Sequence, residues 1–177
     1  METIDAQIEP PSSEQAPASK LAILRSALTI EEQKIFQDEG YKMYSKMKKV
    51  PSWLGDFRFK AYYNSWRKTP FAPLVDKLSA FVPGQIFNAV FLQVYGPGAS
   101  VKEHRDPRNN TGHTIIAIAG EFEGAETYVD GQLAGRLAPG DVGILPCTIN
   151  GVQGPPHRVT EVLSGFRVAL ILNTIET

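Results

Sequence analysis

From Gln85 to the end, the chain is a succession of short apolar, β-rich runs separated by turn signals. That pattern limits the fold more than any other feature. The runs fall at 87–95, 114–119, 126–129, 133–137, 142–145, 157–162 and 167–175. Between them stand Gly96-Pro97-Gly98, Asn109-Asn110, Asp130-Gly131, Pro139-Gly140-Asp141 and Ser164-Gly165, residues that supply the backbone angles turns need. Asp130-Gly131 between two runs predicts a two-residue hairpin. Many short strands at this spacing imply a sandwich or a closed barrel.

The segment before Gln85 reads differently. Residues 1–18 are polar, acidic and interrupted by proline, too poor in apolar surface to offset chain entropy, and are expected to form a disordered tail. A helix is expected over the LAILRSAL stretch. Thr29, with Glu31 and Glu32 behind it, predicts the N-cap of a second helix whose middle is weakened by Gly40. A third, short helix is expected over 74–81. The fold class is therefore mainly β with N-terminal helices. It divides into the tail, a helical support and substrate-recognition region at 19–84, and a β core at 85–177. With 177 residues and 42% hydrophobic content, one well-buried core is possible and two ordinary domains are not.

The first long run leads into His104-Arg105-Asp106. In extended backbone, residues two apart project to one face, so His104 and Asp106 can offer an imidazole and a carboxylate to one metal ion. The protein has three histidines. His157, after Gly154-Pro155-Pro156, is the strongest third ligand. Two His and one carboxylate occupy one face of an octahedral ion and leave three positions open, which suits Fe(II) and oxygen chemistry. Arg167, ten residues past His157 in a strand, can hold a carboxylate through two hydrogen bonds. His113 reads as a loop or substrate-side residue. Cys147, the single cysteine, reads as a small buried hydrophobe and fits a reducing compartment.

Together, H-x-D, a distal His and an Arg ten positions later resemble the Fe(II)/2-oxoglutarate-dependent dioxygenases over about residues 70–177. The resemblance implies a double-stranded β-helix (a jelly roll), with Fe(II) held by His104, Asp106 and His157. It also implies O2 and 2-oxoglutarate as co-substrates, and Arg167 on the distal carboxylate of 2-oxoglutarate. Tyr95 is either a hydrogen-bond donor to that co-substrate or a packed strand aromatic. The run from Tyr95 to Asp106 resembles the AlkB-type pattern Y-x-P-G-A-x-x-x-x-H-x-D, with two departures: Gln93 where that pattern has Asn, and Asn173 where it has a second Arg. Gly120-Glu-Phe-Glu-Gly-Ala-Glu126 instead resembles prolyl-hydroxylase-like and TET/JBP-like members, with Ala125 replacing a Gly. The expected activity is hydroxylation of a C–H bond. The expected substrate is a nucleobase in single-stranded or flipped form, with a protein side chain or a small metabolite as the runner-up. A cupin-like metal protein without oxygenase activity is the reading from a different class.

Residues 42–68 carry eight basic residues against one acidic residue, interleaved with aromatics, inside a chain of net charge −1. Cations for phosphates and rings for stacking are what a single strand requires. Lys48, Lys49, Tyr62 and Trp66 are the candidates there, and Arg105 and Arg108 are the candidates beside the metal motif. The ordinary alternative is a solvated basic face over packed core aromatics. No window reaches the length of a membrane span, and the N-terminus does not read as a signal peptide. The expected location is the cytoplasm, or the nucleus in a eukaryote.

Overall fold

The computed structural model describes residues 20–177, so the tail expected at 1–18 lies outside the described residues. Chain order begins with strand β1 (Ala22–Leu24), helix α1 (Ile30–Met43), strand β2 (Lys48–Lys49), strand β3 (Phe57–Tyr62) and helix α2 (Ala72–Ser79). The β core follows with β4 (Ala89–Tyr95), β5 (Val101–His104), β6 (Asn110–Ala119), β7 (Phe122–Gly124) and β8 (Glu126–Val129). It ends with β9 (Gln132–Arg136), β10 (Val142–Pro146), β11 (His157–Val159), β12 (Val162–Gly165) and β13 (Arg167–Ile175).

Three antiparallel arrays result: a seven-stranded sheet in the order β1-β10-β6-β13-β4-β3-β2, a four-stranded sheet β5-β11-β8-β9, and the ribbon β12-β7. Strand alternation divides the large sheet into two faces. Val90, Leu92, Val94, Ile115, Ala117, Ala119, Val168, Leu170 and Leu172 pack in one cluster with Phe36 of α1 and Leu74, Val75 and Leu78 of α2. The neighbours between them in sequence (Gln93, Tyr95, Thr114, Ile116, Arg167, Ile171 and Asn173) line the cavity on the opposite face. The mainly β double-stranded β-helix expected from the sequence is therefore present, with helices covering its outer face.

Local chemistry explains the helices. Glu32 N–H donates to Thr29 Oγ1 at 3.1 Å and Thr29 N–H to Glu32 Oε2 at 2.9 Å, a reciprocal box that starts α1. Gly40 lets α1 lie close on the sheet, because a Cβ there would sit 3.0 Å from Val168 Cγ1. The hairpin at Asp130-Gly131 joins β8 to β9, and both residues have positive φ (51° and 73°), as a type I′ turn requires.

Four expectations need correction. The helix over LAILRSAL is absent; β1 instead pairs with β10, Ala22 opposite Ile144. Arg25 and Ser26 are caught by Asp141, 115 and more residues ahead, and that distant partner overrides local helix preference. The helical support expected over 19–84 also carries strands among its described residues, since β1, β2 and β3 form both margins of the large sheet. The run expected at 157–162 is broken into β11 and β12. His113 lies in β6, opposite Pro146, rather than in a loop; Gln85 holds its backbone, with Oε1 accepting from His113 N–H and Nε2 donating to its carbonyl, both at 2.8 Å.

Candidate metal centre

The two histidines are brought together by strand pairing. In the β5–β11 ladder His104 stands directly opposite His157, so both side chains share the face that looks into the jelly roll. Each ring is oriented by its own strand: His104 Nδ1 lies 2.8 Å from Lys102 O, and His157 Nδ1 lies 3.0 Å from Pro155 O. Those carbonyls take the Nδ1 protons and leave both Nε2 lone pairs free. Asp106, two residues past His104, brings Oδ1 to 3.5 Å from each Nε2. One ligand atom from each of the three residues lies within 4.8 Å of the other two. A point between them is equidistant enough for one ion, and two imidazoles with a carboxylate form a donor set that suits Fe(II) among the divalent metals.

The electrostatics agree with such a site. Burial alone would raise the Asp106 pKa, but His104, His157 and the Cys147 thiol hold the carboxyl well below its usual range. His104 is raised, first by its hydrogen bond with Asp106 and against desolvation. Asp106 is fixed from behind as well: Gln153 Nε2 donates to its backbone carbonyl at 2.6 Å.

A cavity of about 260 Å³ opens from the triad, walled by Leu54, Phe57, Gln93, Tyr95 and Ile171 among others. This is small beside the roughly 300–1,000 Å³ of pockets for drug-sized ligands. Arg167 lines it from β13 and is 3% exposed, yet its Nε has no hydrogen-bond partner. Among the described residues no carboxylate pairs with it. Burial lowers its pKa. Its guanidinium carbon lies 4.9 Å from the centre of the Tyr95 ring, Tyr95 being opposite Arg167 in the β4–β13 ladder. Tyr95 is the packed strand aromatic, stacked on Phe57 with ring centres 4.5 Å apart, and its hydroxyl donates to Gln93 Oε1 at the cavity wall. A buried guanidinium that lines a small cavity and has no carboxylate of its own is suited to a ligand carboxylate.

Of the substrate-side candidates, Tyr62 and Trp66 are corrected. Each is 5% exposed and packs in the core beneath α2, Tyr62 edge-on to Phe71 with its hydroxyl 3.1 Å from Met43 Sδ, so neither can stack a base. Lys48 and Lys49 are exposed on β2, the sheet edge two strands from Tyr95. Arg105 and Arg108 donate to Gly154 O at 2.6 Å and Gly151 O at 3.4 Å, strapping the 150–154 loop beside the metal motif. Trp53, not among the candidates, is an exposed aromatic at 52%, with Lys102 Nζ 4.7 Å above its ring. Its position beside Leu54 depends on Gly55, where a Cβ would meet Gly98 O at 2.2 Å. Cys147 is buried as expected, but it is not merely a hydrophobe: Sγ lies 3.2 Å from Asp106 Oδ2. Burial, then the Asp106 charge, push its thiol up to about 12.

No protein-family model matches the chain, and no curated protein matches it by sequence. Solved structures do match by shape. A Pseudomonas putida prolyl-4-hydroxylase superposes with TM-score 0.69 at 11% identity, covering 88% of this chain and 92% of its own. The collagen prolyl hydroxylase of Paramecium bursaria Chlorella virus-1, in its 2OG complex, gives 0.66 at 13%, covering 86% and 94%. OsALKBH1 gives 0.62 at 14%, covering 90% and 100%. No helix among the described residues is long and apolar enough to cross a membrane. The chain has the double-stranded β-helix fold of these prolyl hydroxylases and of OsALKBH1.

Proposed function

We propose that the protein is an Fe(II)- and 2-oxoglutarate-dependent dioxygenase that hydroxylates a substrate C–H bond. One observation carries this reading: the His104–Asp106–His157 cluster and the buried guanidinium of Arg167, whose Nε has no hydrogen-bond partner, line the same small cavity. Bound by the triad, Fe(II) with 2-oxoglutarate and O2 supplies the oxidising power, the keto acid leaving as succinate and CO2 while C–H becomes C–OH. The chain's own residues do the rest. His104 and His157, each held at Nδ1, present fixed lone pairs. Arg167 binds and orients the distal carboxylate of the co-substrate, with Tyr95 supporting it. Ile116, Leu145, Val159 and Ile171 keep the cavity wall apolar and exclude water.

For the substrate, a nucleobase in a single strand or flipped from a duplex is the first reading. It is supported by the AlkB-type pattern from Tyr95 to Asp106 and by Trp53, an exposed ring under the Lys102 ammonium next to the cavity-lining Leu54. A protein side chain is the second, favoured by the apolar cleft of Pro146, Ile149, Val152 and Pro155 beside Arg105 and by the fold shared with prolyl hydroxylases. The free thiol of Cys147 fits a reducing compartment, cytoplasm or nucleus.

The test is an anaerobic titration with Fe(II) and then 2-oxoglutarate, following the weak visible charge-transfer band of a keto acid chelating iron. The band should form, and Arg167→Ala should need far more 2-oxoglutarate while binding iron normally. Iron binding without the band would favour a cupin-like protein that is not an oxygenase. Methylated oligonucleotides and peptides then separate the substrates: Lys48→Glu/Lys49→Glu should weaken oligonucleotide binding and flatten its salt dependence. Salt-independent binding, or none, would favour the peptide reading.

A further inference from the structure

The two oxygens of Asp106 have different surroundings. Oδ1 faces both Nε2 atoms at 3.5 Å. Oδ2 is turned away, 3.2 Å from Cys147 Sγ and 3.4 Å from Asn110 Nδ2. Both neighbours are buried, Cys147 at 2% exposure and Asn110 at 3%. The thiol also lies 2.9 Å from Thr114 Oγ1, whose own hydrogen goes to Asn173 Oδ1 at 2.6 Å. Thr114 therefore has no proton left for the sulfur, and the thiol hydrogen is shared between a neutral hydroxyl and a carboxylate. An ionised acceptor makes the stronger bond.

We infer that Cys147 is a positioning residue for the metal centre: with Asn110 it holds Asp106 Oδ2 away from the ion, so that the carboxylate can ligate through Oδ1 alone. The inference rests on the metal-binding reading above and adds to it. A carboxylate free to swing would chelate through both oxygens and take up one of the three positions that co-substrate and oxygen need. The device is set by packing. Cys147 follows β10 and Thr114 lies in β6, its neighbour in the sheet, so sulfur and hydroxyl are fixed relative to each other before any ion arrives. Asn173 and Thr114 both line the cavity, so the same hydrogen-bonded chain runs from the cavity wall to the ligand carboxylate.

Co(II), added anaerobically without 2-oxoglutarate, tests this apart from turnover. Its visible spectrum reports coordination number and geometry, and calorimetry gives its affinity. Cys147→Val keeps an apolar side chain and removes the donor; it should bind Co(II) about 10–100-fold more weakly, the usual effect of losing a partner of a metal ligand, with an altered spectrum. Cys147→Ser, which keeps a donor, should retain the wild-type spectrum. Asn110→Ala removes the weaker donor independently and should shift the spectrum in the same direction, so the question stays decidable if the Val variant fails to fold. Wild-type affinity and spectrum in folded Cys147→Val would overturn the inference, as would a Ser variant as impaired as Val. Failure of the wild-type protein itself to bind Co(II) would instead remove the metal reading on which the inference rests.

Discussion

Asp141 and Asp106 are both carboxylates whose pKa is lowered in the folded protein, and they reach that state by different means. At Asp141, burial is opposed by the Ser26 N–H at 2.9 Å, by the Arg25 guanidinium at 2.6 Å and by the Ala138 N–H at 2.9 Å. Those are a permanent cation and two fixed backbone donors, and they close the site. At Asp106 the partners are two imidazoles, a thiol and an amide, and one side is left open to the cavity. Arg136 and Arg167 repeat the contrast. Arg136 donates to Gly124 O at 3.0 Å and Phe122 O at 2.5 Å, whereas the Nε of Arg167 meets nothing. A charge satisfied by the protein fastens two segments together; a buried charge left incomplete is reserved for something that arrives later.

The strongest way to break this comparison is to exchange the consequences of the two carboxylates. Asp106→Ala should cost more than about a hundredfold in metal affinity, beyond the loss expected for an outer partner, and leave the melting temperature of the metal-free protein unchanged or higher. Asp141→Ala should do the reverse, keeping metal affinity while losing about 3 kcal/mol of stability, roughly 6–12 °C in melting temperature for a chain of this size. Calorimetric titration and thermal unfolding of both variants decide it.

A smaller effect sharpens the assignment of Asp141. Its folded-state pKa is depressed, so its stabilisation is complete above the unfolded value of about 3.9 and is lost as pH falls through the folded value. The difference in melting temperature between wild type and Asp141→Ala should therefore be constant near neutrality and narrow below about pH 4. A difference unchanged down to acid unfolding would mean that Asp141 acts through packing rather than charge. The smallest expected effect is at Arg167. Without ligand, Arg167→Met should be as stable as wild type or up to about 1 kcal/mol more stable, because a buried guanidinium short of partners is itself a cost. A clear fall in melting temperature would show that the arginine is a structural fastener like Arg136.

Much of the site was legible because its geometry is local. His104 and Asp106 are two apart at a strand end, and the Nδ1 partner of each histidine is a carbonyl two residues back. The hairpin at Asp130-Gly131 and the cap at Thr29 were readable for the same reason. What could not be read depends on distant contacts. β1 needs β10 and Asp141, and the part of Cys147 at the metal centre needs Asp106, 41 residues away. Tyr62 and Trp66 lie among cations in the sequence, but composition does not say which rings turn inward. One signal was available and unused: in Phe57-Arg58-Phe59-Lys60 the aromatic–cation alternation marks β3, which joins β4 along its length.

The large sheet ends in β1, three residues long, and β2, which is two residues long and consists of Lys48 and Lys49. Open strand edges are templates for unwanted pairing between molecules, and short strands with lysines are how soluble sheets blunt them. Lys48 and Lys49 therefore guard against self-association whatever else they bind. Glutamate at these positions preserves that protection, whereas valine would leave the shortness of the strand as the remaining guard of this margin.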